Sequence, residues 1–218
     1  MELFLNDKLD KITYEVSEAA NPIAIIILAH GAGAGMHHPF MVDIANRFAK
    51  HHVHALRFNF PYMEQGRKSP GSPKANIETW QHMIALTQKL YTDIPIILSG
   101  KSYGGRMASH LLADNVSDNV KGIVYLGFPL HAPGKESKDR ANHLPAIAVP
   151  QLFLQGAKDK LANIVLMKEV VEDLKLGDIA VIEDADHSFN VPKRSGKSRE
   201  EILDGLVEIA FDWMKPLL

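Results

Sequence analysis

Gly100-Lys101-Ser102-Tyr103-Gly104 decides how this chain is read. An apolar run, Ile94-Pro95-Ile96-Ile97-Leu98, precedes it, and a helix-like stretch, Arg106 to Leu112, follows. Strand, G-x-S-x-G and helix in that order are what a nucleophile elbow requires. The turn is so sharp that side chains two residues either side of the serine would collide. Glycine at both positions removes the collision and tolerates strained angles. The hydroxyl is then presented at the tip of the turn, over a helix N-terminus.

Outward from the elbow, strand-like and helix-like segments mostly alternate, which predicts an α/β fold with a largely parallel sheet. Strands are expected at Glu2–Leu5, Lys11–Val16, Pro22–Ala29, Val53–Phe60, Ile94–Leu98, Val120–Leu126, Gln151–Leu154 and Ile179–Ile182. A tight polar turn is expected to join the first two. Helices are expected at Pro39–His51, Ile77–Tyr91, Asn163–Leu174 and Ser198–Leu218. The elbow then follows the fifth of eight strands. No repeat, low-complexity tract or linker divides the sequence, so residues 1–218 are expected to form one domain.

A serine hydroxyl needs a base within hydrogen-bond reach, and the base needs an orienting carboxylate. After the seventh strand comes a polar turn, Gln155-Gly156-Ala157-Lys158-Asp159-Lys160. After the eighth comes Glu183-Asp184-Ala185-Asp186-His187-Ser188-Phe189. Ser102, Asp159 and His187 thus appear in the order nucleophile, acid, base, at strand ends where α/β sheets place their sites. Asp184 and Asp186 compete with Asp159 for the acid role. The loop His30-Gly31-Ala32-Gly33-Ala34-Gly35 follows the third strand, and its small residues admit a substrate close to backbone N–H groups. The expected oxyanion donors are the amides of Ala32, with Gly33 as its neighbour, and of Tyr103.

With these residues in place, the chain resembles the α/β-hydrolase superfamily over nearly its whole length. More closely, it resembles the small lidless dienelactone-hydrolase-related group that includes testis-expressed hydrolase-like proteins. The matching segments are HGAGAGMHHPFM (30–41), LRFNFPY (56–62), GKSYGGRM (100–107), GFPLHAPGK (127–135), FLQGAKD (153–159) and DADHSF (184–189). The resemblance implies an α/β-hydrolase fold with Ser102 as nucleophile, Asp159 as acid and His187 as base. Dienelactone hydrolases proper use cysteine as nucleophile. Serine stands there in this chain, which moves the expectation away from dienelactone as substrate.

Other patterns carry less. Gly100-Lys101-Ser102 resembles the end of a Walker A loop, but Pro95 stands where that motif needs glycine, and strand residues fill the place of the phosphate loop. Gly31, Gly33 and Gly35 invite a dinucleotide reading, but the third glycine of G-x-G-x-x-G falls on Met36. His51, His52 and His54 span a helix end and a strand start, so they do not converge on one metal. His37 and His38 are expected to pack or face solvent, with a place in the pocket as the alternative. Lys101 is expected to point away from the nucleophile, and Arg106 to be a structural hydrogen-bonding group. Tyr62, Phe128 and His131 are read either as pocket walls or as packing. Residues 134–140 are charged and are expected to form a solvated rim. The stretch from His131 to Val149 is too short for a cap domain.

Composition sets the outer limits. The 218 residues are 46% hydrophobic and 23% charged, with a formal net charge of -2, so no global field favours nucleic acid or an anionic membrane. There is no cysteine, which excludes disulfides, thiolate metal sites and a cysteine nucleophile. The start, Met1-Glu2-Leu3-Phe4-Leu5, lacks the apolar core of a signal peptide, and the longest apolar run, Ile23 to Ala29, is too short to span a bilayer. A cytoplasmic location is expected. Together the readings predict a serine hydrolase of carboxylic esters or thioesters that takes a small acyl substrate and requires no metal or organic cofactor. The alternatives are a hydrolase-fold interaction protein without turnover, and a peptidase or cofactor-free haloperoxidase with the same triad.

Overall fold

A computed structural model describes residues 1–6, 10–114 and 119–218. The tight turn expected at 7–9 lies outside the described residues. Eight strands form one sheet: β1 (Glu2–Asn6), β2 (Asp10–Ser17), β3 (Ala24–Ala29), β4 (Val53–Phe58), β5 (Ile96–Lys101), β6 (Val120–Leu126), β7 (Gln151–Gly156) and β8 (Gly177–Ile182). Their spatial order is β1-β2-β4-β3-β5-β6-β7-β8. The β1–β2 and β2–β4 pairings are antiparallel, and every pairing from β4 to β8 is parallel.

β3 shows why the sheet carries two cores. All six of its residues are buried. Ile25, Ile27 and Ala29 join one apolar cluster, while Ala24, Ile26 and Leu28 join the other. Side chains alternate faces along a strand, so a strand covered on both sides reads as a continuous apolar run. Helices α1 (Pro39–Lys50) and α6 (Arg199–Met214) cover one face through residues such as Ile44, Phe48, Leu203 and Leu206. Helices α3 (Pro73–Leu90), α4 (Tyr103–Asp114) and α5 (Ile164–Glu172) cover the other through Trp80, Leu111 and Met167. A short helix, α2 (Pro61–Glu64), lies between β4 and α3.

The sequence-based boundaries shift for identifiable reasons. β4 stops at Phe58 because the next two residues serve the loop after β3: Asn59 Oδ1 accepts from Met36 N at 2.8 Å, and Phe60 N donates to His30 Nε2 at 3.1 Å. α3 starts at Pro73, not Ile77, with proline in the first helical turn, where its missing N–H costs nothing. α6 ends at Met214 and gives way to a 3-10 turn over Lys215–Leu217, since Pro216 cannot continue an α-helix. Its start is fixed by a capping box between Ser198 and Glu201.

No separate cap domain stands between β6 and β7. That connection contains two 3-10 turns, Asp139–Ala141 and Leu144–Ala146, whose Ala141 and Leu144 are buried in the main core. Residues 134–140 are largely exposed, as a solvated rim should be. Among the described residues, no helix is long and apolar enough to cross a membrane.

Candidate active site

Chain direction reverses between β3 and β5: the connection from β3 runs outward to β4, whereas that from β5 runs the other way to β6. A crevice opens at the C-terminal ends of strands at such a switch point. The elbow sits there. β5 runs through Gly100 to Lys101, and α4 begins at Tyr103, so Ser102 alone makes the turn. Its φ of 51° is in the left-handed region, a strained conformation for a residue with a side chain. The flanking glycines are required by contact. A Cβ on Gly100 would run into the backbone of Gly104 and Gly105. A Cβ on Gly104 would lie 2.6 Å from His30 O and 2.7 Å from Ala29 O.

Ser102 Oγ lies 2.9 Å from His187 Nε2. On the far side of the ring, His187 Nδ1 lies 2.7 Å from Asp159 Oδ2. The Asp159 side chain is fully buried, whereas 22% of the His187 side chain is exposed. The carboxylate is therefore dry and the imidazole can be reached. Asp159 is also held by two donors, Leu161 N to Oδ1 at 2.7 Å and Gln155 Nε2 to Oδ2 at 2.6 Å. Gln155 in turn accepts from Phe128 N at 2.9 Å. The sequence reading placed Gln155 in a polar turn. It belongs to β7, buried, and its amide links the acid to the end of β6. A glutamine one position before the end of a strand with an apolar middle, Leu152-Phe153-Leu154, was the available signal.

The two rival acids lie elsewhere. Asp186 turns its carboxylate onto its own loop, accepting from Ser188 N at 2.8 Å and from Asn190 N at 2.9 Å. Asp184 takes a left-handed φ of 58° in the bend after β8. The two ring nitrogens of His187 are engaged by Asp159 and Ser102 instead.

Gly31, Ala32 and Ala34 line a cleft of about 330 Å3 together with Ser102 and His187. Tyr103 opens α4, so its N–H has no acceptor inside the helix. Of the two expected amide donors, Ala32 thus belongs to the cleft lining and Tyr103 directly follows Ser102 at the start of α4. The loop after β3 is braced from behind by His30, whose Nε2 accepts from Phe60 N and whose Nδ1 donates to Gly31 O at 2.8 Å. Burial pulls this imidazole down to about 4, so it is neutral at ordinary pH. His38 Nδ1 accepts from Phe40 N at the start of α1, and its side chain also lines the cleft.

Two expectations are corrected. Lys101 does not point away from the site. It lines the same cleft as Ser102, and its ammonium reaches the backbone of His187. Arg106, expected to be a structural hydrogen-bonding group, has its Nε buried without a hydrogen-bond partner, so that atom does not serve the role. Tyr62, Phe128 and His131 are buried packing residues and do not line this cleft. The rings of His51, His52 and His54 go three ways: His51 against Phe211, His52 onto Ala20 O, and His54 accepting from Ala19 N.

A hydroxyl that can pass its proton to a carboxylate-backed imidazole is able to attack a carbonyl, and backbone amides aimed at the resulting alkoxide would bind it. Several solved structures share this fold. An α/β serine hydrolase homologue from Coxiella burnetii has a TM-score of 0.77 at 16% identity, with 98% of this chain and 97% of that one covered. A dienelactone hydrolase from Anabaena variabilis has a TM-score of 0.79 at 16% identity, with 98% and 94% covered. A serine hydrolase without lid from Xanthomonas campestris has a TM-score of 0.73 at 16% identity, with 99% and 95% covered. At that identity they establish the fold. The family model for the alpha/beta hydrolase domain matches residues 22–215, nearly the entire chain, and the chain belongs to the alpha/beta hydrolase family.

Proposed function

We propose that this protein is a serine hydrolase that cleaves carboxylic esters or thioesters with short acyl groups. The observation that carries the proposal is the pair of contacts on the two ring nitrogens of one histidine, Ser102 at 2.9 Å and Asp159 at 2.7 Å. In this reading Ser102 Oγ attacks the acyl carbonyl while His187 Nε2 takes the hydroxyl proton. Asp159 holds Nδ1–H and stabilises the imidazolium that forms. The amides of Ala32 and Tyr103 receive the negative charge on the carbonyl oxygen. Collapse of this intermediate breaks the bond to the leaving group, which departs with the proton from His187. Water then gives a proton to His187 and attacks the acyl-enzyme. The acid leaves as Ser102 regains its proton. The chemistry uses side chains and backbone amides only.

The preference for short acyl groups rests on the missing cap. A long alkyl chain in an open cleft would stay largely wet and forgo roughly 0.8 kcal/mol per methylene. The test is kcat/KM for a series of p-nitrophenyl esters of increasing acyl length. The proposal expects activity with acetate or butyrate and no gain beyond. A steady rise to long chains would overturn the short-acyl reading.

A further inference from the structure

Lys101 is the elbow side chain for which the proposed reaction has no use, yet its surroundings are specific. Its ammonium donates to His187 O at 2.6 Å, across 86 positions of sequence, and stands 5.5 Å from the centre of the Phe189 ring. β6 ends at Leu126. It is followed by Gly127 at a φ of 73°, where a Cβ would lie 3.1 Å from Lys101 Nζ, 3.4 Å from His187 O and 3.5 Å from His187 Nδ1. The carboxylates whose charge Lys101 senses are otherwise engaged: Asp159 on Gln155, Leu161 and His187, and Asp186 on its own loop.

The loop carrying His187 is shaped internally, by Asp184 and Phe189 at positive φ and by the Asp186 carboxylate. Those features fold the loop but do not fasten it to the elbow. Lys101 does, and it leaves β5 one residue before Ser102. We propose that Lys101 is a positioning residue: its ammonium clamps the His187 backbone onto the elbow and so fixes the approach of Nε2 to the Ser102 hydroxyl. The clamp rests on the roles proposed above for Ser102 and His187.

The charge on the clamp supplies a signature that simple packing would lack. Burial pulls the Lys101 amine down to about 8, against the opposing pull of Asp159 and Asp186. The groups facing it are Asp159 after β7, and Asp186 and His187 after β8, while His38 and Arg199 line the same cleft. Below about pH 8 the ammonium makes a charge-assisted bond to the carbonyl. Above it the neutral amine makes a weaker one, and turnover falls.

The experiment measures kcat and KM for p-nitrophenyl acetate from about pH 6 to about pH 10, on wild type, Lys101→Met and Lys101→Arg, with thermal melts of each. Loss of alignment predicts a kcat about 10- to 100-fold lower in Lys101→Met with KM unchanged. Wild-type kcat should decline above about pH 8, and that decline should be absent from Lys101→Met. Lys101→Arg, which keeps its charge throughout, should also lack it. Wild-type kcat in Lys101→Met would overturn the clamp, as would the same alkaline decline in all three proteins. If Lys101→Met does not fold, the comparison of wild type with Lys101→Arg decides. Reaction with a fluorophosphonate separates the two levels. A wild type that does not label removes the serine reading and the clamp with it, whereas labelling at equal rates in wild type and Lys101→Met removes the clamp alone.

Discussion

Asp159 Oδ2 lies 2.7 Å from His187 Nδ1 although 28 positions separate the two residues and two other aspartates stand much nearer in sequence. Separation in sequence is what makes the approach workable. An acid on the loop after β7 meets the ring from the side, whereas Asp186 is spent on its own loop. Asp159→Asn should therefore lower kcat by on the order of 10³ to 10⁴, because an amide favours the wrong imidazole tautomer. Asp184→Asn and Asp186→Asn should cost far less. The three variants, measured side by side with thermal melts, assign the acid. A large loss confined to Asp184 or Asp186 would reassign it.

Gln155 should matter twice. Gln155→Leu removes a donor from Asp159 Oδ2 and leaves Phe128 N–H buried without its acceptor. One unpaired buried group costs about 1 to 3 kcal/mol. Urea denaturation should show a loss of that size, accompanied by a fall in kcat as the carboxylate is freed to rotate. Wild-type stability in this variant would contradict the two contacts.

Gly104→Ala tests the close approach of the elbow helix to β3. The added methyl would fall 2.6 Å from His30 O and meet backbone, which cannot swing aside as a side chain would. Overpacking of this kind costs about 3 kcal/mol. A lowered melting temperature and lost activity are expected together, and a fully stable Gly104→Ala would show that the elbow is looser than described.

Acid should destabilise the fold before carboxylates begin to titrate. Burial pulls His30 from 6.5 down to about 4, and burial does the same to His143, helped by His110 and Arg106. The unfolded chain binds these protons more readily than the folded one. Their contribution is thus complete above pH 6.5 and is lost progressively as pH falls towards 4. For His30, which is fully buried, the slope approaches about 1.4 kcal/mol per pH unit. Urea midpoints measured from pH 7 to pH 5 should fall, and a flat profile would contradict a neutral buried His30.

What could be read in the sequence was what local chemistry controls. The uninterrupted apolar letters of 24–29 announce a strand buried on both faces, and G-x-S-x-G after such a run announces the sharp turn at Ser102. The order of Ser102, Asp159 and His187 followed from placing each at a strand end, and the structure brings the three side chains together. Long-range partners were not legible. Lys101 sits at the bend itself, where the two-residue alternation of a strand no longer predicts direction, and its acceptor is 86 positions away. Gln155 looked like turn material because a single polar letter at a strand end does not reveal whether it is buried. Arg106 was given a hydrogen-bonding role from its type, and only the packed structure shows its Nε without a partner.

The most direct measurement of the central claim is turnover of p-nitrophenyl acetate by Ser102→Ala beside wild type, with fluorophosphonate labelling and thermal melts of both. Wild type should label and turn over. Ser102→Ala should melt at the wild-type temperature, fail to label, and lose activity by on the order of 10⁴ or more. A well-folded Ser102→Ala that keeps most of the wild-type activity would contradict the claim.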